Sequence, residues 1–246
     1  MEHTEVKKYM KYSTILFDMD GTLLPMRQDE FVKAYFVSIS KAMEPLGYEM
    51  KKLTDTIIKG TFAMVKGDGT RPNESIFWEV FCGEYGDEAI KHKPLMDSYY
   101  EDSFDELKIF TSLNPRVKVL IDKLKENGTR LVLATNPLFP PKAIEKRLSW
   151  AGISFNDFEL CTTYENSSYC KPNPKYYTEI LNKLNLNAKD CIMVGNDVDD
   201  DMVASEAGLD VYLITDSLIN RHNKDISVYK HGSFDEFIDY ILEKEC

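Results

Sequence analysis

Cysteine and histidine are scarce in this chain, and neither is patterned. The five cysteines, Cys82, Cys161, Cys170, Cys191 and Cys246, are odd in number and contain no CxxC pair. They read as ordinary thiols of a reducing compartment, neither a disulfide frame nor a zinc site. The four histidines are scattered and form no HExxH motif, which removes a common zinc-hydrolase signature. No apolar run approaches the ~18–20 residues of a membrane span. The opening segment MEHTEVKKYMKY holds no apolar stretch that could act as a secretory signal. Positive charge is also short: 30 Lys+Arg face 41 Asp+Glu, a formal net charge of −11. A surface of that sign repels nucleic acid and anionic membranes, so neither is an expected partner. What remains is a chain of 246 residues, 43% hydrophobic and 12% aromatic. That is enough apolar material for one large domain, or for a domain carrying an insertion. These quantities point to a soluble, cytoplasmic protein and set no oligomeric state.

Short β-rich runs alternate with helical patterns, the signature of a parallel sheet covered by helices. The strand candidates are residues 12–17 (YSTILF), 130–135 (RLVLAT), 191–196 (CIMVGN) and 211–215 (VYLIT), with 158–163 (FELCTT) a weaker one. Val117, Leu120, Ile121 and Leu124 fall on one stripe of an amphipathic helix, and Tyr177, Ile180, Leu181 and Leu184 repeat the spacing. Gly128, Gly152 and Gly208 follow helical patterns, where a left-handed residue is commonly needed. Residues 28–106 break the rhythm. They lack strand runs and look helical, with Val32, Phe36, Ile39, Met43 and Leu46 on one face and Phe77, Val80 and Phe81 on another. The segment KGDGTRPN, residues 66–73, is their most obvious loop. The expectation is a Rossmann-like, doubly wound parallel α/β sheet interrupted after its first strand by an all-helical insertion.

Chemistry gathers at the strand ends, where open α/β sheets bind ligands. Asp18 and Asp20 follow the first strand in DMDGTL. Taken alone that pair could be a simple turn, but two carboxylates there repel unless a cation or a shared proton relieves them. After the strand CIMV comes GNDVDDD, with Asp197, Asp199, Asp200 and Asp201. Asp suits helix starts, which accounts for Asp199 and Asp200. Asp197 and Asp201, four apart, can share a face. Two strands of one sheet ending in acidic clusters are better explained by a shared site for a hard cation such as Mg²⁺. Asn196 and Asp200 are the alternative if the register slips by one. Two further clusters have the opposite polarity. Thr135 and Asn136 close RLVLATN with a hydroxyl, an amide and backbone N–H groups suited to phosphate oxygens. Lys171, in YCKPNPKYY, can neutralise both a carboxylate and a phosphate.

These four clusters, in this order, resemble the haloacid dehalogenase-like hydrolase superfamily in its phosphatase branch. DMDGT is similar to the first motif of that family, Thr135 to the second, Lys171 to the third and GNDVDDD to the fourth. The likeness covers about residues 12–24 and 107–215, and the insertion is similar in place and size to a helical type 1 cap. The Asn-Asp pair after Gly195 departs from the commoner Gly-Asp start of the fourth motif. The resemblance implies a catalytic core of residues 1–24 and 107–246 and a cap of residues 25–106.

It also implies a reaction. Asp18 attacks phosphorus to form an aspartyl-phosphate, and Asp20 protonates the leaving alcohol and then activates water. Mg²⁺ is held by Asp18, the Asp20 main-chain carbonyl and Asp197, with Asp201 in support, and Thr135, Asn136 and Lys171 hold the phosphoryl oxygens. The expected substrate is a small phosphorylated metabolite. Lys66, Asp68 and Arg71 in the insertion loop are candidates for reaching its leaving group, against a plain solvated loop. Dehalogenase and phosphonatase members lack an acid two residues after the nucleophile, so Asp20 favours phosphomonoester hydrolysis. A sugar-phosphate mutase is the enzymatic runner-up. A non-catalytic phospho-receiver or binding module stands behind both, because a receiver places its acidic pair before the acceptor and has no such insertion.

Overall fold

The computed structural model describes residues 11–242, so Cys246 and nearly all of the opening segment MEHTEVKKYMKY lie outside the described residues. Six strands form one parallel sheet in the order β3-β2-β1-β4-β5-β6. They are β1 Thr14–Phe17, β2 Arg130–Leu133, β3 Leu160–Cys161, β4 Cys191–Gly195, β5 Asp210–Ile214 and β6 Lys230–Gly232. In register, Phe17 lies opposite Leu133 on one side and Val194 on the other. The chain steps outward from β1 to β3, returns to the middle, and steps outward again from β4 to β6. That order reverses between β1 and β4, and the crevice at their carboxyl ends is where such sheets take ligands.

The central strands are buried on both faces, which is why they read as continuous apolar runs. Successive side chains alternate between two cores. Ile15 and Phe17 join the core built with α5 (Pro115–Glu126), α6 (Pro141–Trp150) and α8 (Phe234–Leu242). Leu16, Val132 and Met193 join the other, where α7 (Pro174–Leu184) contributes Tyr176, Tyr177, Ile180 and Leu181. The expected α5 stripe is the buried face of that helix; in α7, Tyr177, Ile180 and Leu181 are buried with Tyr176, and Leu184 is half-buried. Gly128, Gly152 and Gly208 take φ of 76°, 76° and 89°.

Two elements differ from expectation. β6 was not anticipated, because Lys-His-Gly carries no apolar signal; it is an edge strand held by pairing with β5. The buried face of α1 (Gln28–Met43) runs Phe31, Tyr35, Ile39 and Met43, one residue from the expected start. Aromatic packing decides this. Phe31 and Tyr35 lie 6.0 and 6.3 Å edge-on to Phe104, while Val32 is left 42% exposed.

Between the first turn and α5 the described elements are helices joined by loops: α1, α2 (Met50–Val65), α3 (Asn73–Tyr85), α4 (Lys93–Glu101) and 3-10 helices, with one isolated bridge, Met26 to Thr111, at the base. Gly60 lets α2 and α3 approach, since a Cβ there would stand 2.7 Å from the Phe77 ring. The insertion docks on the sheet domain through backbone bonds Asn73 N–H to Ser167 C=O (2.9 Å) and Glu74 N–H to Tyr164 C=O (2.8 Å). Tyr35 packs on Phe139, 5.5 Å between ring centres.

Candidate active site

The turn after β1 is set by its own backbone. Gly21 N–H donates to Leu24 C=O, and Thr22 and Leu24 N–H both donate to Met19 C=O. Gly21 has φ of +88°, a conformation that a side chain would strain. A Cβ there would also stand 2.3 Å from Asn196 Nδ2, so this glycine lets the β1 and β4 strand ends approach. The turn leaves Asp18 buried and Asp20 partly exposed, both on the wall of one cavity of about 350 Å³.

Asp18 sits in a buried charge triad. Lys171 Nζ donates to Asp18 Oδ1 at 2.8 Å and to Asp201 Oδ1 at 2.6 Å, and Lys171 and Asp201 are each about 1% exposed. Burial raises the Asp18 carboxyl pKa, Lys171 opposes that rise, and Asp20 adds to it. Burial disfavours the Lys171 ammonium, but Asp18 and Asp201 together hold its pKa well above the ordinary lysine value. Asp201 is raised to about 6, chiefly by burial, with Lys171 pulling it down. Two carboxylates sharing one ammonium leave a net negative site.

Asp201 has a second task. Its Oδ2 accepts the Asp197 N–H at 2.9 Å, and Gly195 leaves room for it, since a Cβ there would stand 2.1 Å from that oxygen. Asp197 Oδ1 in turn accepts the N–H groups of Asp199 and Asp200, and its Oδ2 pairs with Arg221 at 2.7 Å. Asp199 pairs with Lys224 outside the cavity. Asp200 differs from the solvated helix start expected for it: it lines the cavity, and burial raises its carboxyl to about 6. Asn196 is buried against the turn after β1. Thr22 Oγ1 reaches both Asn196 Oδ1 (3.0 Å) and Asp18 Oδ2 (3.4 Å), so these two oxygens face one hydroxyl.

The remaining sequence-derived residues also reach the cavity. Thr135 and Asn136 line it, and the Thr135 carbonyl is braced by Thr162 Oγ1 at 2.7 Å and Tyr176 OH at 2.8 Å. Asn136 Oδ1 is buried without a hydrogen-bond partner. The structure thus brings Asp18, Asp20, Thr135, Asn136, Lys171, Asp197 and Asp201 to one cavity. Lys66, Asp68 and Arg71 are exposed and do not line it; Arg71 pairs with Glu79 and Asp68 closes its own turn on Thr70.

Sequence reasoning missed two cations. Arg147, 1% exposed on α6, pairs with Asp20 Oδ2, and its guanidinium lies 4.7 Å from the Phe139 ring centre. Its Nη2 and Asp20 Oδ1 are buried without partners beside the cavity. The available signal was an arginine in the apolar stripe of Ala143, Ile144 and Leu148. Arg221 had no comparable signal. It comes to the rim on the loop after β5, which is tied to β4 through Val198 N–H to Ile219 C=O and Ile219 N–H to Asn196 C=O.

Among the described residues, no three His, Cys, Asp or Glu side chains converge as a ready metal cluster. The nearby side-chain donors are nonetheless oxygens: the Asp18 and Asp197 carboxylates and the Asn196 amide oxygen. That donor chemistry fits a hard cation such as Mg²⁺ and is wrong for a soft one. Among the described residues, no helix is long and apolar enough to cross a membrane.

Comparison with known proteins agrees with this geometry. The chain is 28% identical over 199 residues to a phosphoglycolate phosphatase of Vibrio parahaemolyticus, covering 79% of each chain. It is 30% identical over 203 residues to a phosphoglycolate phosphatase of Yersinia pestis, covering 82% of this chain and 80% of that one. Its fold is similar to a HAD phosphatase from Thermococcus onnurineus, with a TM-score of 0.57 at 19% identity over 94% of this chain and 98% of that one. It is also similar to the HAD-hydrolase YfnB of Bacillus subtilis, solved bound to magnesium, with a TM-score of 0.55 at 20% identity over 95% and 100%. The model of the haloacid dehalogenase-like hydrolases matches residues 12–208. With that match spanning β1 to β4, the insertion and all four strand-end clusters, the chain belongs to the haloacid dehalogenase-like hydrolase family, on its phosphatase branch.

Proposed function

We propose that this enzyme is a cytoplasmic, magnesium-dependent phosphomonoesterase that works through a phosphoryl group carried on Asp18. The observation that carries the reading is the arrangement of two carboxylates with different partners. Asp18 is buried on Lys171, and Asp20, two residues on, is held by Arg147 on the same cavity wall. Two carboxylates on one wall, each turned to its own cation, can serve as a nucleophile and as an acid–base group.

Asp18 attacks phosphorus, and the ester P–O bond breaks as the new P–O bond forms. Lys171 stays beside both the nucleophile and the incoming oxygens, and Asp201 keeps that ammonium in place. Asp20 gives its proton to the departing alkoxide and then removes one from the water that cleaves the aspartyl-phosphate. Arg147 fixes the Asp20 carboxyl while this happens, and Thr135, Asn136 and the open Arg147 Nη2 are donors or dipoles at the same wall. Asp18, Asp197, the Asp20 carbonyl and Asn196 Oδ1 would hold magnesium, which when bound offsets the negative charge of the phosphoryl group. The residues 25–106 act as a cap that closes the cavity over the leaving group. The names of the relatives favour hydrolysis over isomerisation and a small phosphorylated metabolite as substrate.

The test is the leaving-group dependence of Asp20→Asn. With Mg²⁺ present, the variant should lose far more activity on an alkyl phosphate than on p-nitrophenyl phosphate, whose phenolate needs little protonation. Equal losses on both esters would remove Asp20 from the acid role.

A further inference from the structure

The cavity has two chemically different ends. Among the described residues, the cations that line it, Arg147, Lys171 and Arg221, come from the sheet domain, and each is already held to a carboxylate there. The helical insertion supplies the opposite wall, built chiefly from Phe31, Tyr35, Phe36, Phe77, Trp78 and Tyr100. Val32, 42% exposed on α1, turns its apolar side chain to the same space. Among the described residues, the one charged side chain that the insertion brings to the cavity is Asp97, on α4. The volume of about 350 Å³ spans both ends, the charged strand-end crevice and the aromatic wall.

Building on the phosphatase reading, we propose that the leaving group is a bulky, largely apolar alcohol, of aryl-alkyl type, and that a small carboxylate-bearing alcohol such as glycolate is disfavoured. An aromatic wall gains most from covering apolar surface, and ring pairs add edge-to-face contacts. A carboxylate placed against that wall meets no free cation. Beside Asp97, whose pKa burial already raises, it must either repel a second carboxylate or force a proton onto one of them. Placed instead at the open Arg147 Nη2, it shares the guanidinium with Asp20 and weakens the hold on the residue proposed to protonate the ester oxygen. The phosphoryl end is thus polar and highly charged, and the alcohol end is largely apolar, with one carboxylate and the neutral polar side chains of Gln28 and Thr61.

The experiment compares three esters of primary alcohols, so that their intrinsic reactivity is similar: 2-phenylethyl phosphate, ethyl phosphate and 2-phosphoglycolate. Phosphate release by the full chain with Mg²⁺ gives kcat/KM for each. The expected order places 2-phenylethyl phosphate at least about tenfold above ethyl phosphate, with phosphoglycolate below both. Asp97→Asn, which preserves shape, should raise phosphoglycolate several-fold relative to ethyl phosphate. A preference for phosphoglycolate in the unmodified enzyme overturns the proposal. Calorimetry with 3-phenylpropylphosphonate and ethylphosphonate reads the cavity without turnover. If the first binds at least tenfold tighter while no ester is hydrolysed, the apolar pocket stands and the phosphatase reading falls. Equal binding of the two overturns the pocket assignment itself.

Discussion

At the scale of single residues, partners separate roles that residue type alone does not. Asp18, Asp20, Asp197 and Asp201 are all aspartates, yet Asp20 faces Arg147, Asp197 faces Arg221, and Asp18 and Asp201 share Lys171, with Asp201 also accepting a backbone N–H. The sequence shows the acids and Lys171 because motifs next to strand ends are local. It does not show Arg147, whose partner lies 127 positions away and whose own neighbourhood reads as an ordinary helix. Arg147→Met should therefore lower kcat on an alkyl phosphate by about 10–100-fold, since general acids contribute ~10²–10⁴. The loss should be smaller on p-nitrophenyl phosphate, and Arg147→Lys should recover part of it. Steady-state rates on both esters, with circular dichroism as the folding control, check this. Equal losses on both esters would make Arg147 a structural residue only.

At the scale of elements, the strand-end turns position the site, and glycine marks where they crowd. Gly195 ends β4 against the Asp201 carboxylate, which cannot swing away because Lys171 and the Asp197 N–H hold it. Gly195→Ala is expected to destabilise the fold by ~1–3 kcal/mol, the usual cost of overpacking. That corresponds to a Tm drop of roughly 2–4 °C per kcal/mol in a chain of this size, readable by calorimetry. An unchanged Tm would show that the turn has slack absent from this structure. The helices α5 and α7 were legible because their stripes are regular and long. The buried face of α1 was not, because valine and phenylalanine satisfy the same spacing. The choice between two adjacent stripes was made by Phe104 and Phe139, far along the chain. β6 was invisible for a similar reason: its three residues are a strand only because β5 offers an edge.

At the scale of the whole molecule, an acidic chain concentrates acids at one crevice. The net charge is −11, and among the described residues six aspartates, Asp18, Asp20, Asp97, Asp197, Asp200 and Asp201, line one cavity with three cations. A phosphate dianion adds to that excess, so binding it without a further cation is electrostatically costly. EDTA should remove turnover and Mg²⁺ restore it, and Asp197→Asn should raise the Mg²⁺ concentration needed for half-maximal rate. Full activity in EDTA would contradict the metal role. The parallel α/β class and the existence of the insertion could be read from alternating runs, because a parallel sheet imposes that rhythm on the sequence. What the insertion selects could not, because its wall is assembled from helices whose rings meet only in the folded chain. The central claim, a phosphoryl group carried on Asp18, has one direct measurement. The enzyme is acid-quenched during turnover of a phosphate ester, reduced with borohydride, digested and mapped by mass spectrometry. The account predicts homoserine at position 18, formed from the trapped acyl phosphate and absent in Asp18→Asn, which should also be inactive. A trapped phosphoryl group on any other residue, or turnover retained by folded Asp18→Asn, would contradict it.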